Sequence, residues 1–179
     1  MNIASDIDLK KASNRLSELD LKITSGNLLI EVLWFRAMQC DSDSVIARHT
    51  HSTYEFHFAY SGSSEVQLDD REFTVKAGEF YMTGPGVFHR QVTNKGHTEF
   101  SINCQLSMLE EKQSEAAYIL NFLKSAPCRP YQDTTGIMDL FQWALKEAYE
   151  QNIGFYSNIS PITAMIVTSG DRRHPLAAI

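Results

Sequence analysis

Three imidazoles and one carboxylate follow one another at short spacing in the first half of the chain. They are His49, His51, Glu55 and His57, and all four have odd numbers. Because successive side chains of a strand point to opposite faces, one extended strand would carry all four on the same face. Imidazole nitrogens and carboxylate oxygens bind Zn²⁺, Ni²⁺, Mn²⁺ or Fe²⁺ when three or four of them converge. The candidate fourth ligand beside His49, His51 and Glu55 is His89, which follows a Gly-Pro-Gly turn and begins another predicted strand.

Three further residues are candidates for lining a small-molecule pocket. His57 shares the polar face of the histidine-rich strand, where it either lines a pocket or is a satisfied core histidine rather than a fifth metal ligand. Trp34 and Arg36 have matching parity on the first long predicted strand, so both can face the same cavity. Ordinary strand packing is the alternative for these two residues.

Aromatic side chains occupy the opposite face of the histidine-rich strand. They are the even-numbered Tyr54, Phe56, Phe58 and Tyr60. A sheet face of this kind needs cover, so we expect it to pack against helices rather than to form a platform for stacking carbohydrate rings.

The elements that must position these residues divide the chain into two halves. From residue 28 to residue 106, short runs with strand character are separated by Asp, Ser, Gly and Pro turns, with no helical pattern between them. This spacing predicts an antiparallel sandwich or barrel. From residue 107 to residue 168 the pattern becomes helical, and we place an N-terminal arm at 1–27 and a tail at 169–179.

Three helices are predicted in the second half. Ser107 followed by Glu110 has capping-box spacing and predicts the first start. Ser160 followed by Pro161 predicts the last start, because proline is tolerated in the first turn. The middle helix carries a strong apolar stripe made of Ile137, Leu140, Phe141, Ala144, Leu145 and Ala148. Periodicity alone does not decide whether this stripe covers the barrel or meets a second protomer.

Composition excludes several classes of protein. The 179 residues carry 16 Lys+Arg against 22 Asp+Glu, a net charge of −6, which disfavours direct binding to nucleic acid. Three well-separated cysteines form neither a disulfide framework nor a thiolate zinc site. No signal peptide and no membrane-spanning run is evident. We therefore expect a cytoplasmic protein without a membrane partner.

The spacing of the candidate ligands resembles the two sequence motifs of cupins. His49, His51, Glu55 and Gly62 match the first motif, and Gly78 through His89 match the second. Gly84 stands where the second motif usually has proline, and Thr93 stands where it closes with asparagine. The resemblance implies a jelly-roll barrel with a possible divalent transition metal inside it.

Residues 28–168 as a whole resemble the effector-binding and dimerisation domain of AraC-type transcription regulators. The resemblance extends to Asp139-Leu140-Phe141, Glu147 and the segment 153–159 in the helical half. It implies a mainly β protein with C-terminal helices, a small polar effector such as a sugar, and a homodimer formed through the helical half and its apolar stripe. DNA would be bound only by a helix-turn-helix half that these 179 residues do not contain.

Two other functions remain open at this point. A stand-alone metal-dependent cupin enzyme, such as an isomerase or a dioxygenase, would use the same four ligands, although no catalytic residue beyond them is assigned. A shortened chain that pairs with full-length regulators and inactivates them is the third interpretation.

Overall fold

The computed structural model of the chain describes residues 7–169, which form two antiparallel sheets and four helices. The larger sheet has the strand order β1 (Lys22–Ser25), β2 (Leu28–Gln39), β9 (Thr98–Met108), β4 (Tyr54–Ser61), β7 (Glu79–Thr83) and β10 (Tyr131–Gln132). The smaller sheet has the order β3 (Ser44–His49), β8 (His89–Thr93), β5 (Ser63–Gln67) and β6 (Glu72–Lys76). The helices are α1 (Leu9–Ser17), α2 (Glu115–Ser125), α3 (Ile137–Glu150) and α4 (Phe155–Thr168). The predicted fold class, a mainly antiparallel β structure followed by helices, is confirmed.

The chain passes from the larger to the smaller sheet between β4 and β5, at Gly62. This glycine has a φ of 72°, and a Cβ there would lie 2.9 Å from the Cα of His97. Only glycine combines this left-handed backbone with so close an approach. The glycine at the end of the first motif therefore serves the crossing between sheets.

The helices cover the outer face of the larger sheet. Phe141 of α3 lies over three sheet phenylalanines, with ring centroids 5.0 Å from Phe35, 4.7 Å from Phe58 and 5.8 Å from Phe100. Fully burying such side chains stabilises the fold by roughly 1.5–3 kcal/mol each. The expectation that the aromatic face of β4 packs against helices is confirmed.

The apolar stripe of α3 has its partner within the same chain. Ile137, Phe141, Ala144, Leu145 and Ala148 are at most 1% exposed in the single chain. Leu140 is half-buried and packs against the same core. The assignment of this stripe to a dimer interface is corrected accordingly, because side chains already buried within one chain cannot meet a second protomer without unfolding.

The residues before β2 belong to the larger sheet and to the helical layer that packs on it. Strand β1 pairs with β2, and α1 packs against both β2 and α3. The Ser13 hydroxyl accepts from the amide of Ala37 at 2.9 Å, and the Ser17 hydroxyl donates to the carbonyl of Phe35 at 3.0 Å. Helix α1 thus lies along the edge of β2, and the described part of the predicted arm, residues 7–27, does not reach the cavity described below. Residues 1–6 of that arm, and all but Ser169 of the predicted tail, lie outside the described residues.

Two predicted helix starts are wrong. Ser107 belongs to β9, where it pairs with Leu29, and α2 begins only at Glu115. Helix α4 begins at Phe155, so Pro161 lies inside the helix rather than in its first turn. Both signals are local, and long-range strand pairing or packing overrides them.

Among the described residues no helix is both long and apolar enough to cross a lipid bilayer.

Candidate metal and ligand site

The four predicted metal ligands come together between the two sheets. His49 ends β3, His51 lies in the following loop, Glu55 is on β4 and His89 begins β8. One ligand atom from each of the four lies within 4.8 Å of the others. His49 and His89 are direct partners across β3 and β8, and the amide of Gly86 donates to the carbonyl of His51 at 2.8 Å. Strand pairing and a loop contact therefore hold the cluster in place.

The cluster is not carried by one strand, as the parity argument supposed. The chain leaves β3 at His49 and enters β4 only at Tyr54, so His49 and Glu55 belong to different sheets. The side chains converge because both sheets direct them into the same interior space. The predicted convergence holds, while the single-strand route to it is wrong.

Backbone carbonyls orient two of the imidazole rings. His49 Nδ1 lies 2.7 Å from the carbonyl oxygen of Ala47, and His89 Nδ1 lies 3.2 Å from that of Val87. A ring nitrogen that faces a carbonyl carries the hydrogen, which leaves a lone pair on Nε2. The arrangement is the one expected of a neutral histidine prepared to bind a metal ion.

Three atoms of the cluster have no hydrogen bond within the described part of the chain. They are His51 Nε2, His89 Nε2 and Glu55 Oε2. Nε2 of His51 approaches Oε2 of Glu55 to 2.8 Å but without the angles of a hydrogen bond. Buried polar atoms without partners cost stability, so such a group calls for a further partner. Converging lone pairs without hydrogens between them are what a cation requires.

The electrostatics of the cluster favour neutral rings at His51 and His89 beside an ionised Glu55. Burial lowers the pKa of His51 and lowers that of His89 to about 4. Burial opposes ionisation of Glu55, but His57, His51 and His89 outweigh it and bring the pKa of Glu55 to about 2. Three nitrogen donors and one carboxylate fit a divalent ion such as Zn²⁺, Ni²⁺, Mn²⁺ or Fe²⁺.

His57 occupies a different position from the four donors. Its Nδ1 lies 2.8 Å from Oε1 of Glu99, and its Nε2 lies 3.4 Å from Oε2 of Glu55. Burial lowers the pKa of His57, but the two carboxylates outweigh it and raise that pKa to about 10. The ring also stacks on Tyr81, with centroids 4.3 Å apart. His57 is therefore an imidazolium between two carboxylates rather than an additional ligand.

Glu99, Gln91 and His97 complete this buried network, and the sequence analysis missed them. Gln91 Nε2 donates to Oε2 of Glu99, and His97 Nε2 lies 3.5 Å from the same oxygen. One signal was available, because Glu99, Ser101 and Asn103 alternate with apolar residues along β9. His97 gave no such signal, since it lies in the turn before β9 and is buried only by tertiary packing.

A cavity of about 90 Å³ is lined by the four donors and by the other predicted pocket residues. Trp34 contacts His51 edge to face, with ring centroids 5.4 Å apart. The guanidinium of Arg36 lies 5.1 Å from the Trp34 ring and donates to the Ser101 hydroxyl at 3.4 Å. The structure thus brings Trp34, Arg36 and His57 to one cavity beside the four donors.

Comparison with known families gives one match that covers most of the chain. The family described as "AraC-like ligand binding domain" matches residues 34–158. This range contains every donor of the cluster, α2, α3 and the first four residues of α4. No curated protein gives a significant match.

Solved structures similar to this chain include several cupins. A cupin-2 domain protein from Shewanella frigidimarina is 18% identical over 49% of this chain and 76% of its own, with a TM-score of 0.32. An RmlC-like cupin from the same organism is 18% identical over 49% of this chain and 84% of its own, with a TM-score of 0.36. KdgF from a Halomonas species is 14% identical over 48% of this chain and 86% of its own, also with a TM-score of 0.36. At these identities the similarity concerns the fold alone.

Proposed function

The chain belongs to the family of AraC-like ligand binding domains, and we propose that it is the ligand-sensing and dimerisation domain of an AraC-type transcription regulator. In this proposal a small effector binds between the two sheets, and the helical half transmits the effect of binding to the DNA-binding part of the regulator. Contact with DNA is made by a helix-turn-helix domain of the regulator and not by this sensing domain. Such a regulator works in the cytoplasm.

The observation that carries the proposal is the polar interior of the sandwich. Among the buried atoms without a hydrogen bond in the described residues, six belong to residues that line the cavity: Trp34 Nε1, His51 Nε2, Glu55 Oε2, His57 Nε2, His89 Nε2 and Gln91 Oε1. Each such atom costs about 1–3 kcal/mol if it stays unpaired. A bound metal ion and a polar effector would remove that cost, which favours a binding function for the cavity.

A divalent ion would be held by His49, His51, Glu55 and His89. It would supply a positive centre that attracts oxygen atoms of the effector. His57 and Glu99 keep the Glu55 side chain in place from the opposite side, because His57 lies between the two carboxylates.

Dimerisation is proposed through the outer surface of α3 and α4. Asn158 donates to Glu147 at 3.2 Å, which places the start of α4 beside the end of α3. Further along the pair, Trp143 is 52% exposed and Met165 is 45% exposed. Exposed apolar residues of this size are enriched at interfaces, so this surface replaces the buried stripe as the candidate for contact with a second protomer.

Coupling between effector and helices would run through the larger sheet. Strands β4 and β9 present His57 and Glu99 to the cavity and Phe58 and Phe100 to Phe141 of α3. An effector that favours one packing of these strands would shift the population of helix arrangements.

Metal content and effector binding test the proposal. We expect the purified chain to bind Zn²⁺ or Ni²⁺ at about one ion per chain, His51→Ala to lose binding, and His97→Ala, outside the donor set, to retain it. A thermal-shift screen across sugars, polyols, organic acids and amines then seeks compounds that raise the melting temperature. Sedimentation of the chain and of Trp143→Asp tests the dimer. A metal-free chain that no compound stabilises and that stays monomeric would contradict the sensor assignment.

The donor set is also compatible with the second candidate, a metal-dependent cupin isomerase or dioxygenase. The two candidates differ in the fate of the ligand. A sensor releases its ligand unchanged after prolonged incubation with the metal-loaded chain, whereas an enzyme converts it, and mass spectrometry of the recovered ligand distinguishes them.

A further inference from the structure

Arg36 is an exposed cation that lines the cavity, and no acidic group of the described residues neutralises it. Its guanidinium rests on the Trp34 ring and hydrogen-bonds Ser101 through Nε, but it forms no ion pair with any described residue. The other charged groups of the cavity are engaged with one another, since Glu55 and Glu99 both face His57. The terminal nitrogens of Arg36 therefore remain available to an anion, held in one orientation by the stack and by Ser101.

The unpaired polar atoms of the cavity indicate what kind of molecule they would bind. Trp34 Nε1 is a buried donor without a partner in the described residues, and Gln91 Oε1 is a buried acceptor without one. When a metal ion takes up the lone pairs of His51, His89 and Glu55, donors outnumber acceptors among the atoms that remain, because the terminal nitrogens of Arg36 join Trp34 Nε1. A carboxylate satisfies donors without bringing hydrogens of its own. One hydroxyl beside it would satisfy Gln91, whereas a polyol would bring many hydroxyl hydrogens that need acceptors.

The size of the cavity limits what can be enclosed. An engineered cavity of about 150 Å³ holds one benzene molecule. The 90 Å³ cavity, which the four donors help to line, therefore encloses only the end of a ligand, about three to five non-hydrogen atoms on the same scale. A carboxylate with an adjacent hydroxyl has this size, and a whole hexose does not.

From these three observations, and resting on the sensor function proposed above, we infer that the effector is a small 2-hydroxy acid whose carboxylate is recognised by Arg36. The carboxylate and hydroxyl oxygens face the four metal ligands. Trp34 Nε1 donates to the ligand, and Gln91 Oε1 accepts from its hydroxyl. Arg36 thereby becomes the residue that distinguishes an acid from the corresponding neutral alcohol.

Matched pairs of acid and alcohol test this assignment. The full chain loaded with Zn²⁺ is titrated calorimetrically with lactate against propane-1,2-diol, and with gluconate against sorbitol. In each pair the acid is expected to bind at least tenfold more tightly. Arg36→Gln should weaken binding of the acids by about tenfold to a hundredfold, as loss of a hydrogen bond to a charged group implies, with little change for the alcohols. Arg36→Lys should be intermediate, because it keeps the charge but not the planar fork.

Arg129 provides the matched control. Its guanidinium also stacks on an aromatic ring, 4.5 Å from the Tyr131 centroid, but away from the cavity. Arg129→Gln should leave the affinity for lactate unchanged, which separates a specific contact from a general loss of positive charge.

Two results would overturn the inference. If the alcohols bind as tightly as the acids, or if Arg36→Gln retains full affinity for lactate, then Arg36 does not recognise a carboxylate, and the sensor function stands with a different effector. If none of the four probes binds, the hydroxy acid is excluded, whereas the sensor function falls only if the wider screen also finds no ligand.

Discussion

The two faces of β4 are both buried, yet opposite kinds of side chain build them. On the helix side, Phe56 and Phe58 are at most 1% exposed and lie in an apolar core. On the cavity side, Glu55 and His57 are at most 4% exposed, and each keeps an atom without a hydrogen bond in the described residues. The first face is complete within the chain and the second is not. We therefore expect the helix side to contribute mainly to stability and the cavity side mainly to ligand binding.

The largest expected effect on stability comes from a substitution in the apolar core on the helix side of β4. Phe141→Ala removes the ring that lies over three sheet phenylalanines, and we expect a loss of about 3–5 kcal/mol in the free energy of unfolding. Ile153→Ala, three residues beyond the end of the same helix at a fully exposed position, should change it by about 0.5 kcal/mol or less. Urea unfolding of the two variants makes the measurement. Equal losses would show that α3 is not anchored by its buried stripe.

The second effect concerns the charges on the cavity side and is measured without metal. Burial disfavours the His57 cation, but Glu55 and Glu99 outweigh it and raise its pKa from 6.5 to about 10. Because the folded-state pKa is the higher one, the stabilisation is fully present below pH 6.5 and is lost as the pH rises toward 10. Glu99, whose pKa is lowered despite burial because of His57, acts in the opposite direction and stabilises the fold above its ordinary value of 4.5.

We therefore expect the free energy of unfolding in a chelator to fall by about 1–3 kcal/mol between pH 7 and pH 9. His57→Gln cannot titrate, so its stability should be lower at pH 7 but nearly flat across the same range. Urea unfolding at several pH values measures both. Parallel curves for the two proteins would show that His57 does not carry this charge.

The sequence predicted the two faces of β4 because alternation depends only on the period of a strand. Odd positions such as Glu55 and even positions such as Phe58 were separated correctly. Alternation could not predict the turn between His49 and Tyr54, because odd and even positions continue to alternate in the sequence whether or not the residues form a strand. The convergence of His49 with His89 needed the pairing of two strands distant in sequence. The turn before His89 made it a candidate ligand, and the motif resemblance supported it.

The predictions about helices failed where contacts between residues distant in sequence determine the structure. The apolar stripe of α3 showed that one side is buried, but periodicity cannot say whether a sheet or a second protomer covers it. Ser107 and Glu110 had the spacing of a cap, yet β9 continues because β2 offers a partner as far as Leu28, opposite Met108. The start of α3 depends on Asp133, whose carboxylate accepts from the amides of Ile137 at 3.1 Å and Met138 at 2.8 Å.

The smallest expected effect on stability comes from comparing two residues of the cavity side, His89 and Gln91. His89 and Gln91 lie two residues apart on β8 and both face the cavity, but Gln91 donates to Glu99 whereas His89 Nε2 has no partner in the described residues. Without metal, His89→Leu should leave the free energy of unfolding unchanged or raise it by up to about 1 kcal/mol, because it removes an unpaired buried nitrogen.

Gln91→Leu should instead lower the free energy of unfolding by about 1–3 kcal/mol, since Glu99 loses a donor. Metal affinity should follow the reverse order, being lost in His89→Leu and largely kept in Gln91→Leu. Urea unfolding in a chelator and titration with Zn²⁺ measure the two quantities on the same samples. If His89→Leu destabilises the metal-free chain as much as Gln91→Leu does, then His89 is a structural residue, and the unpaired nitrogens of the cavity no longer point to a metal ion.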